Sequence, residues 1–525
     1  MMKSKYIYRG LIAVLFLAIG ISSCDSYNEG LLDGVGNSRE FSPIGLTARV
    51  RNSTTVELNW TVKADENADH YVVEFSPDDP EFKTIFKTIN VTTKQLPIQV
   101  PLEGETTYYI RVKAVSASGL EDSKWSITSA TTASEQIFVP IKPEEIQANS
   151  VILRWAPNSN VTQIISQPGD VIHTITAEEK TKGEATVTGL TPETNYTATL
   201  KNGTKTRGIL TFTSGVDLTK GIIVNPGDDL NAKVAQVTGD TRLLLMPGNY
   251  VTTGEIIVNK KLIIRGVRPE NKPKLNVKFT LANNPANPTE AVNLSLVDLD
   301  LNGANLTGGA ITIGATQAQP LGDVLISSSY VHDYPSQLMY GNASARLKSF
   351  TVDNSIIKNV NTAGGADFID FRTTYVANVT LIRSTFNNCG SRDFIRLDAA
   401  AGLSGTGLTS NVVIDACTIY TPTLVASSRI LYVRFATNVL AVRNTLFAVG
   451  PAVYTNSNLT SAPGFGNNNN FNSANLKSTG SNNTPDTAAT TLDPLFANVA
   501  TGDFTLGNQT LMDNKIGDPR WIKQQ

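Results

Sequence analysis

Asn378-Val379-Thr380-Leu381-Ile382-Arg383-Ser384-Thr385-Phe386 decides the fold, because its pattern returns as Asn411-Val412-Val413-Ile414-Asp415-Ala416-Cys417-Thr418-Ile419. With Asn293, Asp323, Ser349, Asn378, Asn411 and Asn438 as position zero, position +1 is Leu294, Val324, Phe350, Val379, Val412 and Val439. Position +3 is Leu296, Ile326, Val352, Leu381, Ile414 and Ala441, and +8 is Leu301, Val331, Ile357, Phe386, Ile419 and Leu446. Ser329, Ser355, Ser384, Cys417 and Asn444 stand at +6. The copies start 30, 26, 29, 33 and 27 residues apart. Period-two alternation marks strands buried on one face. A unit this short cannot enclose its own inward residues, so successive coils must stack. The blades of a β-propeller would need longer repeats with four strands each. The sequence therefore predicts a right-handed parallel β-helix over 215–450, with Asn378, Asn411 and Asn438 as a ladder of turn residues.

Outside the repeat, the chain of 525 residues is too long for one core. Lys+Arg 44 against Asp+Glu 46 gives no basic excess, which argues against a nucleic-acid partner. Few charges and abundant Gly, Asn, Ser and Thr suit an all-β chain. At the start, Lys3, Lys5 and Arg9 precede an apolar run from Leu11 to Ile21, and then Ser22-Ser23-Cys24. That run is too short to span a bilayer. Ile21-Ser22-Ser23-Cys24 resembles a bacterial lipobox, which implies export, cleavage and a lipid anchor at Cys24. Residues 1–24 then form the signal segment and 25–41 a tether. The remaining cysteines, Cys389 and Cys417, read as core residues.

Two segments, 42–133 and 134–214, alternate with period two around Trp60 and Trp155. Gly104-Glu105-Thr106-Thr107-Tyr108-Tyr109-Ile110 and Gly189-Leu190-Thr191-Pro192-Glu193-Thr194-Asn195-Tyr196 resemble the penultimate strand of fibronectin type III domains. The resemblance implies two β-sandwiches, with both tryptophans in the core and Tyr108 as the corner tyrosine. Leu243-Leu244-Leu245-Met246-Pro247-Gly248-Asn249-Tyr250 is similar to the opening of pectin-active β-helices. After Gly450, residues 451–525 read as an Asn-rich loop, including Asn467 to Asn470, followed by a capping segment. Asp493-Pro494-Leu495-Phe496 and Gly517-Asp518-Pro519-Arg520-Trp521 resemble the close of β-helical lipoproteins from glycan-utilisation loci. That resemblance implies a polysaccharide partner and a place in an outer-membrane glycan-uptake complex.

Charge gathers in three coils: Asp367-Phe368-Ile369-Asp370-Phe371-Arg372, Arg392-Asp393-Phe394-Ile395-Arg396-Leu397-Asp398 and Arg429-Ile430-Leu431-Tyr432-Val433-Arg434. With Ile369, Ile395 and Leu431 facing the core, Asp370, Arg396 and Tyr432 project outward in one row. Arg372, Asp398 and Arg434 form another. Such rows could pair with an acidic, pectin-like polysaccharide, and their carboxylates could bind Ca²⁺ or act as general bases. They could equally bridge coil to coil as salt bridges. A polysaccharide lyase with Arg372 or Arg396 in its site, and a non-catalytic adhesive protein, are the alternatives to plain binding. Asp367 precedes Phe-Ile as the nucleophile does in pectinesterases, but the companion motifs are missing and its parity points to the core. His332, read as a solvated turn residue, is the only histidine of the repeat region.

Overall fold

A computed structural model describes residues 38–523, apart from 62–67, 317, 363–364, 401 and 481–482. The signal segment, Cys24 and residues 25–37 of the expected tether lie outside the described residues. The last tether residues belong to the first sandwich. Arg39 bridges to Glu121 in a short parallel pairing, and Glu40 N–H donates to Glu121 O at 2.8 Å.

Alternation in the first module builds two antiparallel sheets. One holds Ile44–Arg51, Thr55–Thr61 and Ile98–Pro101, and the other Lys87–Val91, Ala68–Pro77, Thr107–Ser116 and Ser126–Thr131. Their inner faces bury Trp60, Tyr71, Phe75 and Tyr108. The Tyr108 hydroxyl accepts the N–H of Glu103 at 3.2 Å, the corner bond of such sandwiches. Burial pushes its phenol up to about 12. The second module repeats the strand order. Phe138–Val139, Ser150–Trp155 and Glu184–Thr188 form one sheet, and Val171–Thr174, Gln163–Gln167, Asn195–Asn202 and Lys205–Thr213 the other. A short helix, Ala177–Lys182, is inserted between them, with Thr176 as N-cap and left-handed Gly183 as C-cap.

From Gly221 onward every pairing between named strands is parallel. One face is a 10-stranded sheet running from Gly221–Val224 to Gly464–Gly466. The long strand Lys274–Leu281 pairs through its first half with Asp300–Asn302 and through its second with Ile311–Ile313, which opens two further stacks. The five coils from Val292–Val297 to Leu431–Val433 thus have three strands each, around a core that includes Leu294, Val324, Phe350, Val379 and Val412. This is a parallel β-helix.

Register corrects two expectations. Asn411 stacks on Val439, not on Asn438, so the sixth copy slips by one residue. Leu440 and Val442 are its core residues, while Val439 is 61% exposed. The asparagines are not turn residues either. Asn378 and Asn411 lie within strands and bond along the stack, Asn411 Nδ2 donating to Asn378 Oδ1 at 3.0 Å. The corner is instead a column of left-handed residues, Asp298, Ser328, Asn354, Arg383, Ala416, Asn444 and Asn467, of mixed chemistry. Nor is 467–470 a loop. Asn469–Asn470 pairs with Leu446–Ala448 and adds a rung, with Asn468, Asn469 and Asn470 all buried. Residues beyond it divide the work of capping. Thr490 bridges to Asn469 at the open rung, and 492–522 lies over a flank, where Leu506, Leu511 and Ile516 pack on Leu446.

Next to the corner, buried hydroxyls form a second ladder. Ser329 Oγ accepts from Leu299 N–H, Ser355 Oγ from Ser329 N–H and Ser384 Oγ from Ser355 N–H, each at 3.1 Å. Each hydroxyl donates in turn to the carbonyl two residues before it. Cys417 and Thr445 continue the column. Ser355→Ala should therefore cost about 1–3 kcal/mol by orphaning the Ser329 N–H. Denaturant unfolding that leaves the midpoint of this variant unchanged would show the ladder to be dispensable.

Candidate functional site

Strands Ile369–Phe371, Ile395–Leu397 and Leu431–Val433 stack in direct register, which aligns Asp370, Arg396 and Tyr432 one rung apart. Tyr340 occupies the same row one coil earlier. Just beyond the strands, Asp398 N–H donates to Phe371 O at 2.8 Å and Arg434 N–H to Leu397 O at 2.6 Å. Arg372, Asp398 and Arg434 thus follow one another coil by coil. Inward, Phe368 stacks on Phe394 with ring centroids 4.9 Å apart, holding the strands against the core.

The rows are joined by residues that parity alone misplaces. Asp367 lies two residues ahead of its strand. It is fully buried, yet it meets three guanidiniums: Arg392 at 2.6 Å, Arg396 at 3.2 Å and Arg372 at 3.6 Å. Arg372 Nε donates to Asp370 Oδ2 at 2.9 Å, and Arg396 Nη2 to Asp398 Oδ2 at 2.7 Å. Arg434 closes on Asp398 at 2.7 Å, and Arg429 on Asp393 at 2.6 Å. Tyr432 underlies three of these arginines, with guanidinium carbons 3.6 Å (Arg429), 4.8 Å (Arg434) and 5.8 Å (Arg396) from its ring centre.

Exposure divides the cluster by sign. Asp367, Asp370 and Asp393 have side chains wholly removed from solvent, whereas Arg372, Arg392 and Arg434 retain 34%, 38% and 36% of theirs. Asp370 has outward parity but lies beneath Arg372. Four carboxylates against five guanidiniums leave one net positive charge, and the surface presented to solvent is mostly guanidinium. Burial and the neighbouring Asp367 push the Asp370 carboxyl up despite Arg372. Burial likewise raises Asp393 against the pull of Arg429. For Asp367 burial is outweighed by Arg392, Arg396 and the Asp393 N–H, so its carboxyl is held below the usual range. Burial opposes the charge on Arg396, but Asp398 and Asp367 overcome it and hold the proton more tightly than usual.

These contacts settle what the ladder offers chemically. Its carboxylates are committed to arginines at contact distance, so they present no open oxygen set for Ca²⁺ and no free base. Among the described residues no group of three or more His, Cys, Asp or Glu side chains gathers to hold a metal ion. Asp393 and Arg429 went unselected in the sequence because they precede their strands. The recurrence of Asp before Phe-Ile at Asp367 and Asp393 was the available signal.

His332 is no solvated turn residue. It ends strand Tyr330–His332, stacks on Tyr330 at 4.4 Å and keeps 15% of its side chain exposed. Its Nε2 meets Asp300 at 2.9 Å and its Nδ1 meets Asp333 at 2.7 Å. Carboxylates only accept, so both contacts are satisfied only by the imidazolium. Burial lowers its pKa, but the two carboxylates raise it by more, for a net rise.

Comparison with known proteins divides the chain in three. Residues 41–131 match the fibronectin type III domain. The first sandwich is a fibronectin type III domain. Residues 248–389 match a family described as Domain of unknown function (DUF4957), and 412–521 one described as Domain of unknown function (DUF5123). Both lie in the β-helix and its capping segment. Comparison with curated proteins gives no match. Among solved structures, a two-domain fibronectin type III segment of chicken tenascin is 17% identical, with a TM-score of 0.23, covering 33% of this chain and 97% of its own. The FN1–FN3 domains of chicken CNTN1 are 14% identical, with a TM-score of 0.15, covering 33% and 66% respectively.

Two outcomes follow from these geometries. Asp367 has a lowered folded pKa, so the stability it contributes is present above its unfolded value near 3.9 and lost as pH falls through the folded one. Asp367→Asn should remove that acid-side contribution and cost about 3–5 kcal/mol at neutral pH, measured by unfolding across pH. His332 has a raised pKa, so its stabilising charge is complete below about 6.5 and lost as pH rises through the folded value. An NMR titration of its imidazole should show a midpoint above that of free histidine, falling in Asp300→Asn.

Proposed function

We propose that this chain binds an acidic, pectin-like polysaccharide along the arginine face of its β-helix. The observation that carries the reading is the separation of sign across the cluster: buried carboxylates hold guanidiniums whose outer edges face solvent beside Tyr432 and Tyr340. Guanidiniums fixed in this way recognise carboxylates in a bidentate manner with little side-chain entropy left to lose. An extended polymer can meet successive rungs, which lie about 4.8 Å apart. Tyr340, one coil earlier in the same row, offers a flat apolar face, while Tyr432 backs the guanidiniums.

The lipobox-like start and the two sandwich modules suit a lipid-anchored surface protein that holds its β-helix away from an outer membrane, within a glycan-uptake assembly. Elimination chemistry fits less well. A lyase needs a base, and Arg396 is held protonated by Asp398 and Asp367. Binding is therefore preferred to catalysis.

Calorimetric titration with polygalacturonate should give saturable heat that weakens with added salt, while a neutral glucan gives none. Arg372→Gln and Arg434→Gln, both at partly exposed positions, should each weaken binding about tenfold or more. Equal heat from both polymers, or none from either, removes the reading.

A further inference from the structure

A second pair of cations lies in the same unit, at the corner of the coils, and its partners differ from those of the ladder. A cavity of about 320 Å³ is lined by Lys272, Asp298, Tyr330, Asn354, Ile356 and Arg520. It is built from both segments that match the families of unknown function, since Arg520 arrives from the strap that folds back over the flank. At the ladder each guanidinium has a carboxylate within 3 Å. Here neither cation does. Lys272 Nζ donates to the Pro269 carbonyl at 2.7 Å, and its carboxylate neighbour Asp298 is 3.7 Å away. Arg520 Nη2 donates to Asn354 O at 2.7 Å and to its Oδ1 at 2.9 Å, with Asp518 at 3.4 Å.

The shortest bonds of both cations therefore go to uncharged oxygens, while their carboxylate partners, Asp298 for Lys272 and Asp518 for Arg520, hold them only loosely. Asp298 is a weak counterion besides. It is shared with Arg265 at 3.6 Å, and burial raises its carboxyl pKa. Burial also lowers the pKa of Lys272, and Arg520 adds repulsion in the same direction. Two like charges held at one small cavity raise each other's energy, and an anion between them relieves it. The other walls include the ring of Tyr330, whose orientation is held by its stack on His332, and the side chain of Ile356, beside Pro269, Ser328 and Ser329. The volume sits at the lower end of ligand pockets, enough for a single ring.

We propose that this cavity binds a small carboxylate-bearing ligand of the size of one sugar acid, its carboxylate between Lys272 and Arg520 and its ring on Tyr330. The site is independent of the arginine ladder and stands whether or not a polymer binds there. The test is calorimetry on the full chain with galacturonate, galactose and inorganic phosphate as probes, monitored for fold by thermal unfolding. Galacturonate should bind while galactose and phosphate do not. Lys272→Gln should weaken binding about tenfold or more. Tyr330→Ala should weaken it as well. Arg520→Gln serves as a further check if its melting profile is retained, and Lys272→Gln alone carries the test if it is not. Equal binding of galactose or of phosphate, or undiminished binding by Lys272→Gln, overturns the assignment.

Discussion

Parallel registry between coils is the constraint from which the rest of the β-helix follows. Each strand hydrogen-bonds to the equivalent strand of the next coil, so every outward or inward position becomes a column. Columns of leucine, isoleucine, valine and phenylalanine close the interior. Columns of serine satisfy backbone N–H groups where the chain turns, in a place water does not reach. The same registry aligns charges that lie far apart in sequence.

Alignment of charge carries a cost that the cluster meets in a particular way. A buried carboxylate loses its hydration, and contact with a guanidinium restores it only if geometry is close. Asp367 achieves this by taking three arginines from its own coil and the next, and Asp393 takes Arg429 from a third. The arginines cannot follow the carboxylates inward, because their long side chains reach from the outer face. What remains at the surface is a set of guanidiniums with fixed directions. At the corner cavity, Lys272 and Arg520 are instead anchored most closely on carbonyl and amide oxygens.

Much of this was legible in the residues and some was not, for identifiable reasons. Val379, Leu381 and Phe386 recur with their partners at fixed offsets, so the coil and its core were readable. The sixth copy slipped because Val439, Leu440, Ala441 and Val442 are apolar on both parities, which leaves register to be chosen by packing. The corner residues gave no pattern, since Asp298, Ser328, Arg383 and Ala416 share a backbone conformation rather than a chemistry. Asn468, Asn469 and Asn470 looked like loop residues by composition, but each is buried in a rung or a ladder. Parity located Asp370, Arg396 and Tyr432. It failed for Asp367, which precedes its strand and so follows no alternation.

Solenoids ordinarily behave as one-dimensional arrays in which a coil senses only its neighbours, and loss of order can begin at either end. The strap over the flank changes that behaviour. Gly517 bonds to the Asn444 carbonyl, Asp518 to Thr418 and Thr385, Trp521 to Thr385, and Arg520 to Asn354. Four successive coils are thereby tied to a single short stretch of chain. Fraying of the final coils would have to break these ties together, so this part of the molecule melts as one cooperative block rather than unzipping coil by coil.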